Sequence, residues 1–376
     1  RTEQNVARFT DLSIGDARSG VILTASAEGC ALATSAPFSV ETPPTVSAEA
    51  ASLTRIAGGG DLVFFDDGTA FALFTQEPGA RHTVLTCSAQ GHRLGLVTLD
   101  GPPRVLRRRG SCIAVATWDG TVCVLTSDGR NWSWNPATRT GAPTVPGDLA
   151  IAGEGADLVV YAGFWTGEVY RLAPLRNAER CLLHEGGIQA LGVRGASICV
   201  CSLTGEWSRY DGGVLVATQT LEPIVRGMKI GDAAAIVVGE RSLFYIPDDN
   251  SKPFAQSLKL DRVTQALMEP EHAVAMDAEG RGVIFDRDLF VTHAIHLGAG
   301  AAPVCADRHG WYIFRLPAGG HDLVVQGKTI YHHPVGPFAV TPDGELWALG
   351  DERGISLVSR DTMKASVRGE QRGRAD

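Results

Sequence analysis

Ten histidines and eight cysteines are the side chains of this chain best suited to chemistry. His293 and His296, in VTHAIHL, stand three apart, but the run reads as a strand, where residues three apart face opposite sides and cannot share one ion. His332 and His333 are adjacent and diverge for the same reason. Both pairs read as solvated or hydrogen-bonded histidines, and no metal site is expected. Gly327-Lys328-Thr329 has the tail of a phosphate-binding loop. Asp322 stands where that loop needs glycine, and the following IYHHP offers no helix N-terminus to a phosphate. Neither a GxSxG elbow nor a GxGxxG run occurs. The acidic turns Asp248-Asp249-Asn250 and Asp286-Arg287-Asp288 lack calcium-loop spacing and read as turn formers. No catalytic residue and no cofactor is expected.

The cysteines, about 2% of the chain, are too sparse for a disulfide scaffold. Most sit in apolar alternating runs such as SICVCSL. Cys199 and Cys201 share a strand face without a second pair to complete a zinc site, so buried free thiols and a reducing, cytoplasmic setting are expected. A formal charge of −8 disfavours a nucleic-acid clamp, which needs a basic face. The longest apolar stretches, as in 232–239, fall short of the roughly 20 residues that span a bilayer, so no membrane segment is expected. The start RTEQNVARFTD has no apolar core behind a basic start and no Met. We expect no signal peptide there, and a leader or preceding domain removed. Arginine outnumbers lysine 29 to 5, and glycine and alanine are abundant, a bias read as a GC-rich bacterial genome.

What remains is architecture. Forty-four glycines and 19 prolines punctuate short β-branched runs. One unit recurs: apolar strand, glycine turn, strand, tight acidic or glycine turn, strand. Its clearest copy is FAVTPDGELWALGDERGISLVSRD over 338–361, with turns at Pro342-Asp343-Gly344 and Glu352-Arg353-Gly354. This copy resembles a WD40-like β-propeller repeat, with Ser359-Arg360-Asp361 where that repeat ends in Trp-Asp. Further turns fall at Gly68, Gly120, Gly167, Gly205, Gly239, Gly280 and Gly319, with a weaker one at Glu28-Gly29, separated by 34–52 residues. A period near 40–45 suits a propeller blade, whose two apolar faces are buried only by stacking radially until a ring closes.

The resemblance is to a divergent bacterial WD40-like propeller and covers nearly the whole chain. It implies an all-β fold, a single closed β-propeller of four-stranded blades over 1–366, with a flexible arginine-rich tail at 367–376. Eight blades are favoured, seven or nine being the alternatives. The longest gap, around SAQGHRLGLVTLDGPP, is where an irregular insertion is expected, and no helical period beyond two turns is found.

Two aromatic runs stand out as contact surface. Trp132 and Trp134 share a face in NWSWN, and Phe164 and Trp165 flank a tight turn in GFWTG; packing between blades is the competing role. Arg107-Arg108-Arg109 is the one basic run, which a strand would split between faces. The expected function is a non-catalytic protein–protein interaction scaffold in a bacterial multi-protein assembly. The resemblance implies protein partners, an ATPase or signalling component among them. The alternative is an enzyme or small-ligand propeller with a site at the channel mouth, drawing on His272, His309 and the acidic hairpin residues.

Overall fold

The computed structural model describes residues 62–76, 82–136, 145–230, 234–249, 252–269, 272–286, 290–334, 336–351 and 354–373, together with short strands within 1–40. The chain divides into two compact units, Arg1–Glu49 and Ala50–Asp376. In the first, three short antiparallel pairs are described: Thr2–Glu3 with Val6–Ala7, Arg18–Val21 with Phe38–Val40, and Thr24–Ala25 with Ala33–Thr34. The weak repeat at Glu28-Gly29 and Cys30 lie outside the described residues.

The second unit is an all-β propeller. Its blades, numbered I to VIII in chain order, occupy 62–99, 103–134, 146–183, 188–220, 225–257, 263–296, 302–333 and 338–359. Among the described residues, seven are four-stranded antiparallel sheets and blade VIII is three-stranded. Each is built from consecutive strands, the first at the ring's centre. The second strands are the most deeply buried: Cys112–Thr117 and Ala234–Gly239 are buried at every position. This follows from stacking, which covers a blade on both faces. Alternation then deals the side chains to two layers. Cys112, Ala114 and Ala116 pack with blade III, whereas Ile113 and Val115 pack with blade I. Outer strands alternate between exposed and half-buried, as Asn131–Trp134 does.

Ring closure is a matter of packing. Leu62, Phe64 and Phe71 of blade I share a core with Phe338, Val340 and Trp347 of blade VIII. Each such side chain removed from water contributes about 1.5–3 kcal/mol to holding blade VIII against blade I. Met363 and Val367 of helix α1 (Arg360–Gly373) join the same core, and the helix packs beside Gly354–Ser359 and Lys328–His333. The sequence reading found no helix of this length, and α1 corrects it. Among the described side chains Met363 and Val367 form its buried stripe, and Ser359 Oγ accepts the Thr362 N–H at its start. The tail expected over 367–376 thus begins in α1, and 374–376 lie outside the described residues.

The eight hairpins drawn from Gly68 to Gly354 fall one to a blade. Gly68 turns between the first and second strands of blade I, whereas the later turns lie between second and third strands. That offset creates the longest gap. The segment expected as an insertion is instead a hairpin, His82–Ser88 paired with Arg93–Leu99, with one register shift between Arg93 and Gly95.

Candidate functional site

Antiparallel order puts the turns between second and third strands, and the connections between blades, on one face of the ring. In blades II, III and IV these turns read TWDGT, FWTGE and SLTGE. Gly120, Gly167 and Gly205 adopt φ of 92°, 90° and 83°, the left-handed region open to glycine. Two residues before each glycine stand Trp118, Trp165 and Leu203. Each donates its backbone N–H to the residue preceding the first strand of its own blade: Trp118 to Pro102 O (3.1 Å), Trp165 to Val145 O (2.9 Å), Leu203 to Gly187 O (2.7 Å). The backbone is thereby pinned and the side chain turned outward. Trp118 is 50% exposed, Trp165 40% and Leu203 41%, so three large apolar groups from three blades share one face.

Arg104, near the start of the innermost strand of blade II, lies between the two indoles. Its guanidinium carbon is 4.5 Å from the Trp118 ring centre and 4.4 Å from that of Trp165, and the rings meet edge to face at 6.4 Å and 89°. Its Nε donates to Pro146 O at 2.6 Å. Each cation–π contact contributes on the order of 0.5–2 kcal/mol, so the side chain is held on three sides. Burial draws its pKa below the usual arginine value, against the pull of Asp148. It stays charged, since the guanidinium does not deprotonate in proteins.

The nearby carboxylates are already engaged. Asp148 is buried, accepts the Leu149 and Leu191 N–H groups at 2.8 and 2.9 Å, and pairs with Arg107 at 2.6 Å. Asp119 accepts the Thr117 hydroxyl within its own turn.

The expected contact residues separate. Trp165 lies in the exposed group. Phe164 is fully buried between blades II and III, its ring edge-on to Tyr170. Trp132 and Trp134 are half-buried on the outer strand of blade II against the same layer, and Trp134 Nε1 donates to Arg176 O of blade III at 2.9 Å. Trp118, Leu203 and Arg104 were missed. Aligning the three turns by their glycines would have found the first two, because they occupy one position in successive repeats.

The axial channel, about 840 Å³, is lined by the innermost strands, with Arg104 and Arg226 towards this face and Arg108 and Glu269 towards the other. The basic run does split. Arg107 pairs with Asp148 and Arg109 donates to Ile151 O, both in blade III, whereas Arg108 pairs with Asp66 of blade I (3.1 Å) and Glu269, beside blade VI (2.8 Å). Blades II and VI are opposite in a ring of eight, so Arg108 bridges the channel.

His272 and His309, weighed for the channel mouth, do not line it. They lie on the opposite face, 3.4 Å from Arg308 O and 3.2 Å from Asp343 O, linking blades VI, VII and VIII. His293 and His296 lie on the strand Val291–His296, and Gly327 sits in the hairpin before Lys328–His333. Among the described residues no three His, Cys, Asp or Glu side chains converge as metal ligands, and no helix is long and apolar enough to cross a membrane. The described cysteines are unpaired, and all but the half-buried Cys181 are buried.

No protein-family model matches the sequence, and no curated protein matches it. Among solved structures, the WD40 β-propeller domain of Doa1 aligns with a TM-score of 0.50 at 11% identity, covering 69% of this chain and 94% of that one. The likeness is one of fold.

Proposed function

We propose that this propeller is a non-catalytic platform that holds a protein partner on the face of blades II to IV. The observation that carries the reading is the alignment of Trp118, Trp165 and Leu203 at equivalent turn positions, each two-fifths to one-half exposed. Large aromatics pinned by a rigid scaffold are the usual anchors of protein interfaces, and turns on such a scaffold are where binding concentrates. The composition supports a bacterial source and the unpaired thiols support a cytoplasmic one. By resemblance, the partner is an ATPase or signalling component of a multi-protein assembly.

A second reading, a small ligand or a reaction at the channel mouth, has the arginine-lined channel in its favour. Affinity capture from the source organism's lysate, read by mass spectrometry, separates the two. One stoichiometric protein, lost with Trp118→Ala plus Trp165→Ala, is the expected result. Recovery of no partner, with thermal stabilisation by a small-molecule panel, would overturn the platform reading.

A further inference from the structure

Resting on that reading, we infer that the partner presents a carboxylate, an Asp or Glu flanked by large apolar residues, to Arg104. The guanidinium is held by two indoles and by one carbonyl, which takes its Nε–H. Its Nη1 and Nη2 carry four N–H donors, and none of them has a hydrogen-bond or ion-pair partner among the described residues. Asp148, the carboxylate that acts on it electrostatically, is taken up by Arg107 and two backbone N–H groups. The result is a half-buried, unneutralised fork set among apolar surface.

A carboxylate fits that fork with two parallel charge-assisted hydrogen bonds. Its single negative charge matches the unneutralised charge of Arg104. A phosphate, carrying close to two charges, would call on a second, and the nearest along the strand, Arg107, is spent on Asp148. Trp118, Trp165 and Leu203 would then cover the apolar flanks and exclude water from the ion pair, which strengthens it.

The test uses the full chain, immobilised, with a displayed library of random 12-residue peptides, counter-selected on Trp118→Ala plus Trp165→Ala protein. Peptides that need the patch are expected to share an Asp or Glu beside aromatic or aliphatic residues. Replacing that residue by Gln or Asn in the synthetic peptide should weaken binding at least tenfold on the wild-type protein and less than threefold on Arg104→Gln. The tenfold comparison between the two peptides is made on the wild-type protein, so that arm does not depend on a variant folding. Patch-dependent peptides that lack a carboxylate, or bind equally well without it, would overturn this inference and leave the platform standing. Absence of any patch-dependent peptide would overturn the platform reading, and this inference with it.

Discussion

Gly187 is the position where fold and face are most directly coupled. It lies in the connection from blade III to blade IV, and a Cβ there would stand 2.3 Å from Trp165 O, 2.6 Å from Leu203 Cδ1 and 3.1 Å from Trp165 C. Its backbone angle is not left-handed, so Gly187→Ala tests close approach alone. The leucine methyl can rotate away; the Trp165 carbonyl belongs to a pinned turn and cannot. Overpacking against backbone costs about 1–3 kcal/mol. Unfolding entropy of about 2.1 cal/mol/K per residue over roughly 300 residues converts this to a Tm loss of about 1.5 °C per kcal/mol. The expected drop is therefore about 1.5–5 °C by differential scanning fluorimetry, with at least fivefold weaker partner capture as Trp165 and Leu203 are forced apart. Gly101→Ala is the control. It lies in the preceding inter-blade connection, and the nearest atoms its Cβ would meet are those of the Asp119 side chain, from 3.3 Å. It should shift Tm by less than about 1.5 °C, the equivalent of under about 1 kcal/mol. Equal melting of both variants with the wild type would refute the close-packing argument. A destabilised Gly187→Ala that captures partner normally would refute the placement of the contact face.

Glu269→Gln leaves the nearly buried Arg108 with Asp66 as its charged partner, and should cost about 1.5–3 kcal/mol in denaturant unfolding; no loss would mean that the cross-channel pair does not brace the ring. Ending the chain at Ser359 strips Met363 and Val367 from the core between blades VIII and I, a loss of about 3–6 kcal/mol that a scan would read as several degrees of Tm. Burial pushes the Cys87 and Cys181 thiols to about 11 and those of Cys112, Cys123, Cys199 and Cys305 to about 12, so Ellman's reagent at pH 8 should label them only after denaturation. His184, which shares a 2.8 Å hydrogen bond with Tyr210, has its pKa lowered by burial. The unfolded chain therefore binds the extra proton first, and stability conferred by neutral His184 is lost as pH falls below about 6.5. Thermal melts at pH 7 and pH 5 should show a smaller difference in His184→Gln than in the wild type.

Blade structure was legible because a short apolar run with a glycine turn states its own geometry. Each hairpin from Gly68 to Gly354 landed in its own blade without any reference to signature residues. What could not be read was phase. A turn between first and second strands looks like one between second and third, because both need only a tight reversal, and the longest gap became an insertion for that reason. Helix α1 escaped because its buried stripe among the described side chains is Met363 and Val367, too short for periodicity; the Ser359 cap was the available signal. The site was half legible. Trp165 stood out by type, whereas Phe164 one residue earlier points into the core because a strand alternates up to its last residue. Arg104 could not be found at all, since its position between two indoles depends on how blades II and III stack.

Three side chains on three blades form one surface only if the blades cannot slide past one another. Beneath the apolar layers, polar straps join the innermost strands across each junction from II to VI. Arg104 donates to Pro146 O, Asp148 accepts the Leu191 N–H, Gln189 accepts the Val225 N–H, and Arg226 donates to Val263 O. The second residue of the strand makes the strap in blades II, IV and V. In blade III that residue is Gly147, where a Cβ would fall 1.7 Å from Ile188 O, and Asp148 takes over one residue later. Straps that involve a charge contribute about 1.5–3 kcal/mol each and, being directional, fix relative height as apolar packing cannot. Arg104 thus serves twice. Its Nε ties blade II to blade III, and that tie aims the remaining N–H groups between Trp118 and Trp165. A lysine at 104 could reach the carbonyl or face the partner with its single ammonium, but lacks the planar fork that does both at once.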